Sequence, residues 1–139
     1  MAYLLISTYL GFVIWIGSYN LAEGNLFLAV FLGTPMAFGA WSKLSEEERQ
    51  ARSQKGMAAW QDWMQKHGHR IAEMGGPLGK TKKISHDGVS DISNELGGYT
   101  IVRAASHEEA ADMFRDHPHF TIFPGDRVEV MPILPVPGM

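Results

Sequence analysis

A nine-residue run from Asn25 to Gly33, NLFLAVFLG, is apolar at nearly every position. It has the length of a β-strand but lacks the alternation expected of a strand with one face in water. The segment Gly-Thr-Pro closes the run. We therefore expect a strand whose two faces are both covered, and this requirement limits the folds that the chain can adopt.

Two helices are predicted downstream from capping patterns. Ser45 opens the first, with Glu48 three residues later, and the acidic residues of this first turn suit the helix dipole. Ser106 and Glu109 repeat the spacing and start a short second helix, which Pro118 cannot continue. One face of the first helix carries residues at spacings of three and four, namely Met57, Trp60, Met64 and His67.

The remaining segments predict strands and turns. Arg70 begins a strand that ends in a Gly-Gly-Pro turn, and KTKKIS followed by His86-Asp87-Gly88 predicts a solvent-facing hairpin arm. Residues 87–98 are predicted to form a polar loop. Tyr99 begins a strand rich in β-branched and aromatic residues, and Pro132 marks the last strand, RVEVMPIL, as an edge or a bulge.

These elements follow the order strand, helix, strand with hairpin, strand, helix, strand. This is the βαββαβ pattern of the ferredoxin-like sandwich, an α+β fold with one antiparallel sheet and both helices on one face. Two helices cover only one face of the sheet, yet the first strand is apolar on both. We therefore expect a homodimer in which the sheets of two copies pack face to face, formed by a domain of residues 25–139.

Residues 1–24 form an apolar N-terminal extension, and the first 22 carry no charge. A signal peptide is not favoured, because no Lys or Arg precedes Lys43. A spanning helix is not favoured either, because the apolar run is short and is diluted by Ser, Thr and Gly. The alternatives are an upstream start codon, an added leader, or a segment that packs on the domain.

Composition limits the partners and the chemistry. A net charge of -3 without a basic stripe argues against nucleic acid. The chain has no cysteine, which excludes disulfides, thiolate zinc sites and a cysteine nucleophile. That absence fits a cytoplasmic location, and we expect no membrane partner.

From about Asn25 to the C-terminus, the chain resembles the YCII-related proteins, the group that also contains the DGPF-domain proteins. The segments that carry the resemblance are EMGGPLGKTKKISHDGVSD, GGYTIVRAASHEEAADMFRDHPHF and VEVMPI, in that order. Together they cover most of residues 57–133. The resemblance implies a dimeric α/β barrel built on the ferredoxin-like unit, with a cleft near the turn after the second helix.

The same resemblance implies small-molecule enzymology through a paired His and Asp, and one relative is a dehydrochlorinase that acts on a chlorinated hydroxyquinol. This chain departs from that pattern. The position of the first-helix histidine falls near Ala59 or Trp60, and the acidic position after the second helix falls on His117. The Asp-Gly-Pro-Phe motif reads Gly-Gly-Pro-Leu at residues 75–78. The catalytic pair of the family is therefore not expected here.

His117 and His119 flank Pro118 in the segment RDHPHFTIFPGD. A histidine at the C-terminal end of a helix faces the negative end of the dipole, which raises its pKa and suits a general acid. The same geometry also makes His117 a helix C-cap without chemistry. We expect His119, beside Phe120, to point into a pocket, and Asp126 either to pair with a histidine across the cleft or simply to form the turn.

A metal site is a less favoured reading of the two histidines. Alternate side chains of an extended segment share a side, and Pro118 favours extended backbone at His117. Zinc needs further ligands from elsewhere in the fold. The candidate donors are His67, Asp62 and Asp126.

Other residues have both a binding and a structural interpretation. Trp60 and Trp63 can form a wall for a planar ligand or belong to the core, and we expect Trp60 in the core and Trp63 partly exposed. The segment Gly75, Gly76 and Pro77 can let a ligand approach the backbone or can form a tight turn. Phe120 is a further candidate for ligand contact.

Two functions remain open from the sequence. The first is a protein that binds or acts on a modest polar or aromatic molecule, in a cleft beside His117 and His119, by acid–base chemistry without an organic cofactor. The second is a non-catalytic dimeric module that its apolar N-terminus tethers to a membrane or a partner.

Overall fold

The computed structural model describes residues 25–138, so the N-terminal extension predicted over residues 1–24 lies outside the described residues. Within that range the chain forms strands, helices and one short 3-10 turn (Gly68–Arg70). The strands are β1 (Leu26–Leu32), β2 (Ile71–Pro77), β3 (Thr81–Ser85), β4 (Gly88–Ile92), β5 (Leu96–Arg103) and β6 (Arg127–Pro132). The helices are α1 (Pro35–Ser42), α2 (Glu46–His67), α3 (His107–Asp112) and α4 (Pro118–Thr121).

The main sheet has four strands in the order β2-β5-β1-β6, and all neighbours are antiparallel. The apolar β1 lies between β5 and β6. The strand β6 lies at an edge of the sheet, where the missing N–H of Pro132 breaks no hydrogen bond between two central strands. The hairpin of β3 and β4 forms a separate two-stranded sheet. The fold is α+β. Among residues 25–138, no helix combines the length and hydropathy that crossing a bilayer requires.

The core lies between one face of the sheet and the helices. Alternate residues of β1, namely Phe27, Ala29 and Phe31, are buried on this face, as the two-residue period of a strand requires. Val102 of β5 is fully buried beside them. The helices and their connections complete the cluster with Trp63, Ala104, Ala110, Met113 and Phe114.

The prediction for the two tryptophans of α2 was wrong. Trp63 is buried, and its indole N–H donates a 2.6 Å hydrogen bond to the carbonyl oxygen of Met113. Trp60 is only partly buried at the border of the core. The indole N–H explains the difference, because Trp63 reaches a main-chain acceptor that satisfies its polar atom in the interior.

The two predicted helix N-caps, Ser45 and Ser106, are confirmed. The Ser45 hydroxyl accepts from the Glu48 N–H at 3.1 Å, and the Ser106 hydroxyl accepts from the Glu109 N–H at 3.1 Å. The sequence reading missed α1. Thr34 caps this helix, and Pro35 occupies its first turn, where a missing N–H costs nothing. The Thr-Pro pair therefore both follows the apolar run of β1 and starts a helix.

The polar loop predicted over residues 87–98 contains β4. Gly88 to Ile92 pair with β3 in an uninterrupted register, from Ser85 opposite Gly88 to Thr81 opposite Ile92. All five residues of β4 are exposed. A strand with no buried face lacks the apolar alternation that identifies strands in a sequence, so its polar composition concealed it.

The segment Gly75 to Pro77 belongs to β2 and does not form the predicted tight turn. Gly75 has a φ of 68°, and the register between β2 and β5 shifts between Glu73 and Gly76. A Cβ at Gly75 would overlap the carbonyl oxygen of Tyr99 on β5. Gly75 therefore forms a bulge that needs both left-handed backbone and the absence of a side chain.

Replacing Gly75 should destabilise the protein, whereas replacing its neighbour should not. Gly75→Ala is expected to lower the free energy of unfolding by about 1–3 kcal/mol, because it combines positive φ with the overlap at Tyr99. At Gly76 a Cβ meets nothing within 4 Å, so Gly76→Ala is the matched control. Urea unfolding of both variants tests this, and equal stabilities would contradict the bulge assignment.

Candidate functional site

The chain restarts a helix where the sequence predicted only the end of one. After α3, Asp116 adopts left-handed backbone with a φ of 56°, and Pro118 occupies the first turn of α4. His117 lies between them in extended conformation, as Pro118 predicted. His117 is therefore the N-cap of α4 and not the C-cap of the preceding helix, so the prediction of its capping role was wrong.

The imidazole of His117 performs this capping directly. Its Nδ1 accepts a hydrogen bond from the His119 N–H at 3.0 Å. Its carbonyl oxygen accepts from the Thr121 N–H at 3.1 Å and from the Thr121 hydroxyl at 3.0 Å. Because Nδ1 must keep its lone pair for the cap, the proton of the neutral ring lies on Nε2.

Aromatic rings surround His117, which has no exposed surface. Four of them, which we call the aromatic cage, have ring centroids between 4.6 and 5.8 Å from that of the imidazole. The cage consists of Phe31, Trp60, Trp63 and Phe114. Within the described residues, Nε2 of His117 is buried and has no hydrogen-bond partner.

Burial in the cage decides the protonation state of His117. Removal of the charged ring from water lowers the pKa to about 3, and the neighbouring His119 and His67 act in the same direction. The sequence predicted the opposite shift, from the negative end of a helix dipole. That prediction fails because His117 sits at a helix N-terminus and in an apolar surrounding, which both disfavour the imidazolium.

The ring of His119 is directed at the end of β1. His119 is half-buried, its Nε2 lies 2.8 Å from the carbonyl oxygen of Leu32, and its ring lies edge-to-face with Phe31. Burial lowers the pKa of His119, although the hydrogen bond to Leu32 and the charge of Asp126 oppose the shift. The neutral ring thus donates from Nε2 to the end of β1, and it fastens α4 to the sheet.

The other predicted site residues separate into three places. Trp60 belongs to the aromatic cage, is partly buried and contacts Phe31 and His117. Gly75, Gly76 and Pro77 lie on β2, at the opposite edge of the sheet from β6. Only Phe120 and Asp126 share an open depression.

That depression, which we call the α3–β6 groove, has a volume of about 430 Å³. The apolar part of its lining, which we call the floor, is formed by Ala111, Phe114, Phe120, Val128 and Val130. Its rim is charged or polar, formed by His107, Asp112, Arg115, Asp126 and Arg127. Half of the lining residues are apolar and half are charged or polar, so the groove offers both apolar and polar contacts.

The charged rim is partly committed to ion pairs. Arg127 contacts Glu129 at 2.7 Å, Glu95 at 3.0 Å and Asp126 at 3.1 Å, and the hydrogen bonds to Glu129 and Glu95 raise its pKa above the ordinary value for arginine. Arg115 contacts only Asp112 among the rim carboxylates, at 2.7 Å through one guanidinium nitrogen. Arg115 therefore has donors left for a ligand, whereas Arg127 is held by three carboxylates.

The sequence reading missed most of the groove, although one signal for it was present. His107, which the sequence analysis did not single out, lines the groove, stacks on Phe27 and lies 2.8 Å from the carbonyl oxygen of Val130 through Nε2. His107 and Ala111 are four residues apart, which places them on one side of α3, and Arg115 follows in the turn after this helix. Only the position of β6, which sequence periodicity does not give, turns that side into a groove.

The described residues offer no set of ligands for the metal site that the sequence left as an alternative. Across residues 25–138, no group of three His, Asp or Glu side chains lies close enough to hold a metal ion. The bonded ring nitrogens of the two histidines have different main-chain partners. Nδ1 of His117 accepts from the His119 amide, whereas Nε2 of His119 bonds to the carbonyl oxygen of Leu32.

Comparison with solved structures shows a structural similarity to several protein chains. No protein-family model matches the chain. No curated protein sequence matches it. A solved structure of 5-chloro-2-hydroxyhydroquinone dehydrochlorinase from Burkholderia phenoliruptrix, in complex with 2,5-dihydroxybenzoquinone, is similar with a TM-score of 0.45 and 21% sequence identity. The similarity covers 76% of this chain and 89% of that chain.

The neutral, buried state of His117 should make stability depend on pH. An unfolded histidine takes up a proton near pH 6.5, whereas folded His117 stays neutral down to about pH 3. The folded state therefore loses about 1.4 kcal/mol of stability from this residue for each pH unit below 6.5, and it keeps full stability above that pH.

His117→Asn is the variant that isolates this contribution, because the Asn side chain can still cap α4 but does not titrate. Its free energy of unfolding, measured in urea from pH 7 to pH 4.5, should fall less steeply than that of the wild type. His67 and His119 remain in both proteins and cancel in the comparison. Parallel slopes would contradict the buried neutral state.

Proposed function

We propose that this chain is a YCII-like protein that binds a modest aromatic or polar molecule in the α3–β6 groove, and that it does so as a homodimer. The observation that carries the proposal is the groove itself, in which an apolar floor containing Phe114 and Phe120 meets a rim containing His107, Arg115 and Asp126. A volume of about 430 Å³ suits a ligand with one or two rings.

The strand order supports the finer fold assignment in this proposal. A ferredoxin-like unit has the βαββαβ element order and one antiparallel sheet, and the order β2-β5-β1-β6 agrees with that pattern. The additional helices α1 and α4 lie within the two helical connections and do not change it. On this basis we assign the domain to the ferredoxin-like class of the family that the sequence resembles.

The proposed dimer uses the face of the sheet opposite the helices. The register places Ile101 and Met131 on either side of Leu28, so an apolar row crosses β5, β1 and β6. Leu28 and Ile101 are partly exposed and Met131 is 40% exposed. An apolar row of this kind is best covered by the same row of a second copy, and a monomer in light scattering at micromolar concentration would contradict it.

The chemistry proposed for the groove is binding through polar groups, and it does not use His117. A buried ring with a pKa of about 3 is neutral at neutral pH, so it does not supply the imidazolium form that a general acid needs. His119 commits Nε2 to Leu32. The rim instead offers a guanidinium at Arg115 and a carboxylate at Asp126, so a ligand with both a hydrogen-bond acceptor and a donor satisfies both ends.

Phe120 provides the test, because its ring is 36% exposed on the floor of the groove. Binding of benzoate, catechol and aniline is followed by ligand-observed NMR and by titration of the protein amides. For the probe that binds, Phe120→Ala should weaken the affinity by about tenfold through lost ring contact. Phe38→Ala is the matched control, since Phe38 is an aromatic residue 51% exposed on α1, outside the groove.

The outcomes separate the two functions that the sequence left open. Amide shifts at Phe114, Phe120 and Val128 with a loss only in Phe120→Ala support the groove. Equal losses in both variants would place the site elsewhere. No binding of any probe would favour the non-catalytic module, for which removal of residues 1–24 should abolish attachment to a membrane or a partner.

A further inference from the structure

The hairpin of β3 and β4 projects from the domain without a partner strand among the described residues. Every residue of β4 is exposed, and only Thr81 of β3 is partly covered. Ile84 and Val89 face each other across the hairpin with 73% and 65% of their surface exposed. A two-stranded hairpin in water is marginally stable, and three or more strands are needed for independent stability.

The two outer edges of the hairpin differ in charge. The β3 edge carries Lys82 and Lys83, and Lys80 precedes it. Lysines at an edge are a common device against pairing with another chain. The β4 edge has neither lysine nor proline, and its single charge is Asp91, which is paired with Lys82 of the same hairpin at 2.5 Å.

The main-chain groups that β4 leaves free follow from its register. Ser85 and Gly88 close the two-residue turn as a hydrogen-bonded pair. Hydrogen-bonded and non-hydrogen-bonded pairs alternate along an antiparallel ladder, so Val89 and Asp91 direct their N–H and C=O groups away from β3. These outward groups can bond only to another strand or to water.

We propose that the β4 edge is a self-association site, at which β4 of a second copy pairs antiparallel to form the sheet β3-β4-β4-β3. This interface is separate from the apolar sheet face and does not rest on the proposed ligand. A second copy is the occupant because the edge is complementary to itself in hydrogen bonding, and because its single charge, Asp91, is already paired with Lys82 of the same hairpin.

The symmetry of such a pair fixes its register. Two antiparallel strands related by a twofold axis keep the same face on the same side, and the full five-residue overlap places the axis at Ser90. Val89 of one copy then lies opposite Asp91 of the other, and the outward groups of both residues bond to each other. Moving the twofold axis by one residue, from Ser90 to Asp91, would set the two Asp91 carboxylates directly opposite each other, which is unfavourable.

The side chains suit this register. Val89 of each copy lies diagonally across the axis from the other Val89, with Ile84 behind it, so the four exposed apolar side chains form one patch. Each Asp91 keeps Lys82 beside it. The equivalent pairing through β3 would set two copies of Lys83 directly opposite each other, which disfavours that edge.

A single cysteine tests the register, because the chain has none of its own. In Ser90→Cys, the two thiols lie opposite each other in a non-hydrogen-bonded pair, with about 4.5 Å between Cα atoms, which is within disulfide range. Lys83→Cys is the matched control. It lies on the same face of the hairpin beside Ser90, but its counterpart is two strand spacings further away.

The full-length Ser90→Cys protein is oxidised with diamide and separated on non-reducing gels. We expect a disulfide-linked dimer to form at least tenfold faster than in Lys83→Cys. Adding Asp91→Pro to Ser90→Cys removes an outward N–H without breaking a bond to β3, and it should reduce the cross-linking to the rate of the control. Equal rates in the two single variants, or cross-linking that Asp91→Pro leaves unchanged, would overturn the proposal.

Discussion

The burial of His117 in the aromatic cage is the constraint on which the middle of the structure depends. One imidazole caps α4 through Nδ1 and contacts rings from β1, from α2 and from the turn after α3. It can do this only as a neutral ring with the proton on Nε2. Charging it would place an unpaired cation among aromatic side chains and remove the cap at the same time.

The position of the groove follows from that arrangement. His117 starts α4, and His119 ties α4 to the carbonyl oxygen of Leu32 at the end of β1. The chain then reaches β6 through the Pro-Gly-Asp turn, where the Asp126 N–H also donates to Leu32 at 2.9 Å. These bonds hold Phe120 and Asp126 against the start of β6. The two histidines therefore position α4 and the turn after it, although neither of them lines the groove.

Much of the fold could be predicted from the sequence, because local patterns report it. Ser45 and Ser106 cap helices as expected, and the apolar run of β1 became an internal strand. The strand β4 was missed because an exposed hairpin has no buried face to impose a pattern. The site was predicted less well, since the pKa of His117 depends on rings that lie up to 86 residues away, at Phe31. No local rule reports such neighbours.

The most direct test of this account is the protonation state of His117 in solution. Long-range ¹H–¹⁵N correlation spectra of the ¹⁵N-labelled protein report the tautomer of each histidine and its titration, and His117→Asn identifies the signal. The account predicts that His117 stays neutral, with the proton on Nε2, across the range from about pH 5 to about pH 8 in which histidine normally titrates. A titration within that range, or a proton on Nδ1, would contradict it.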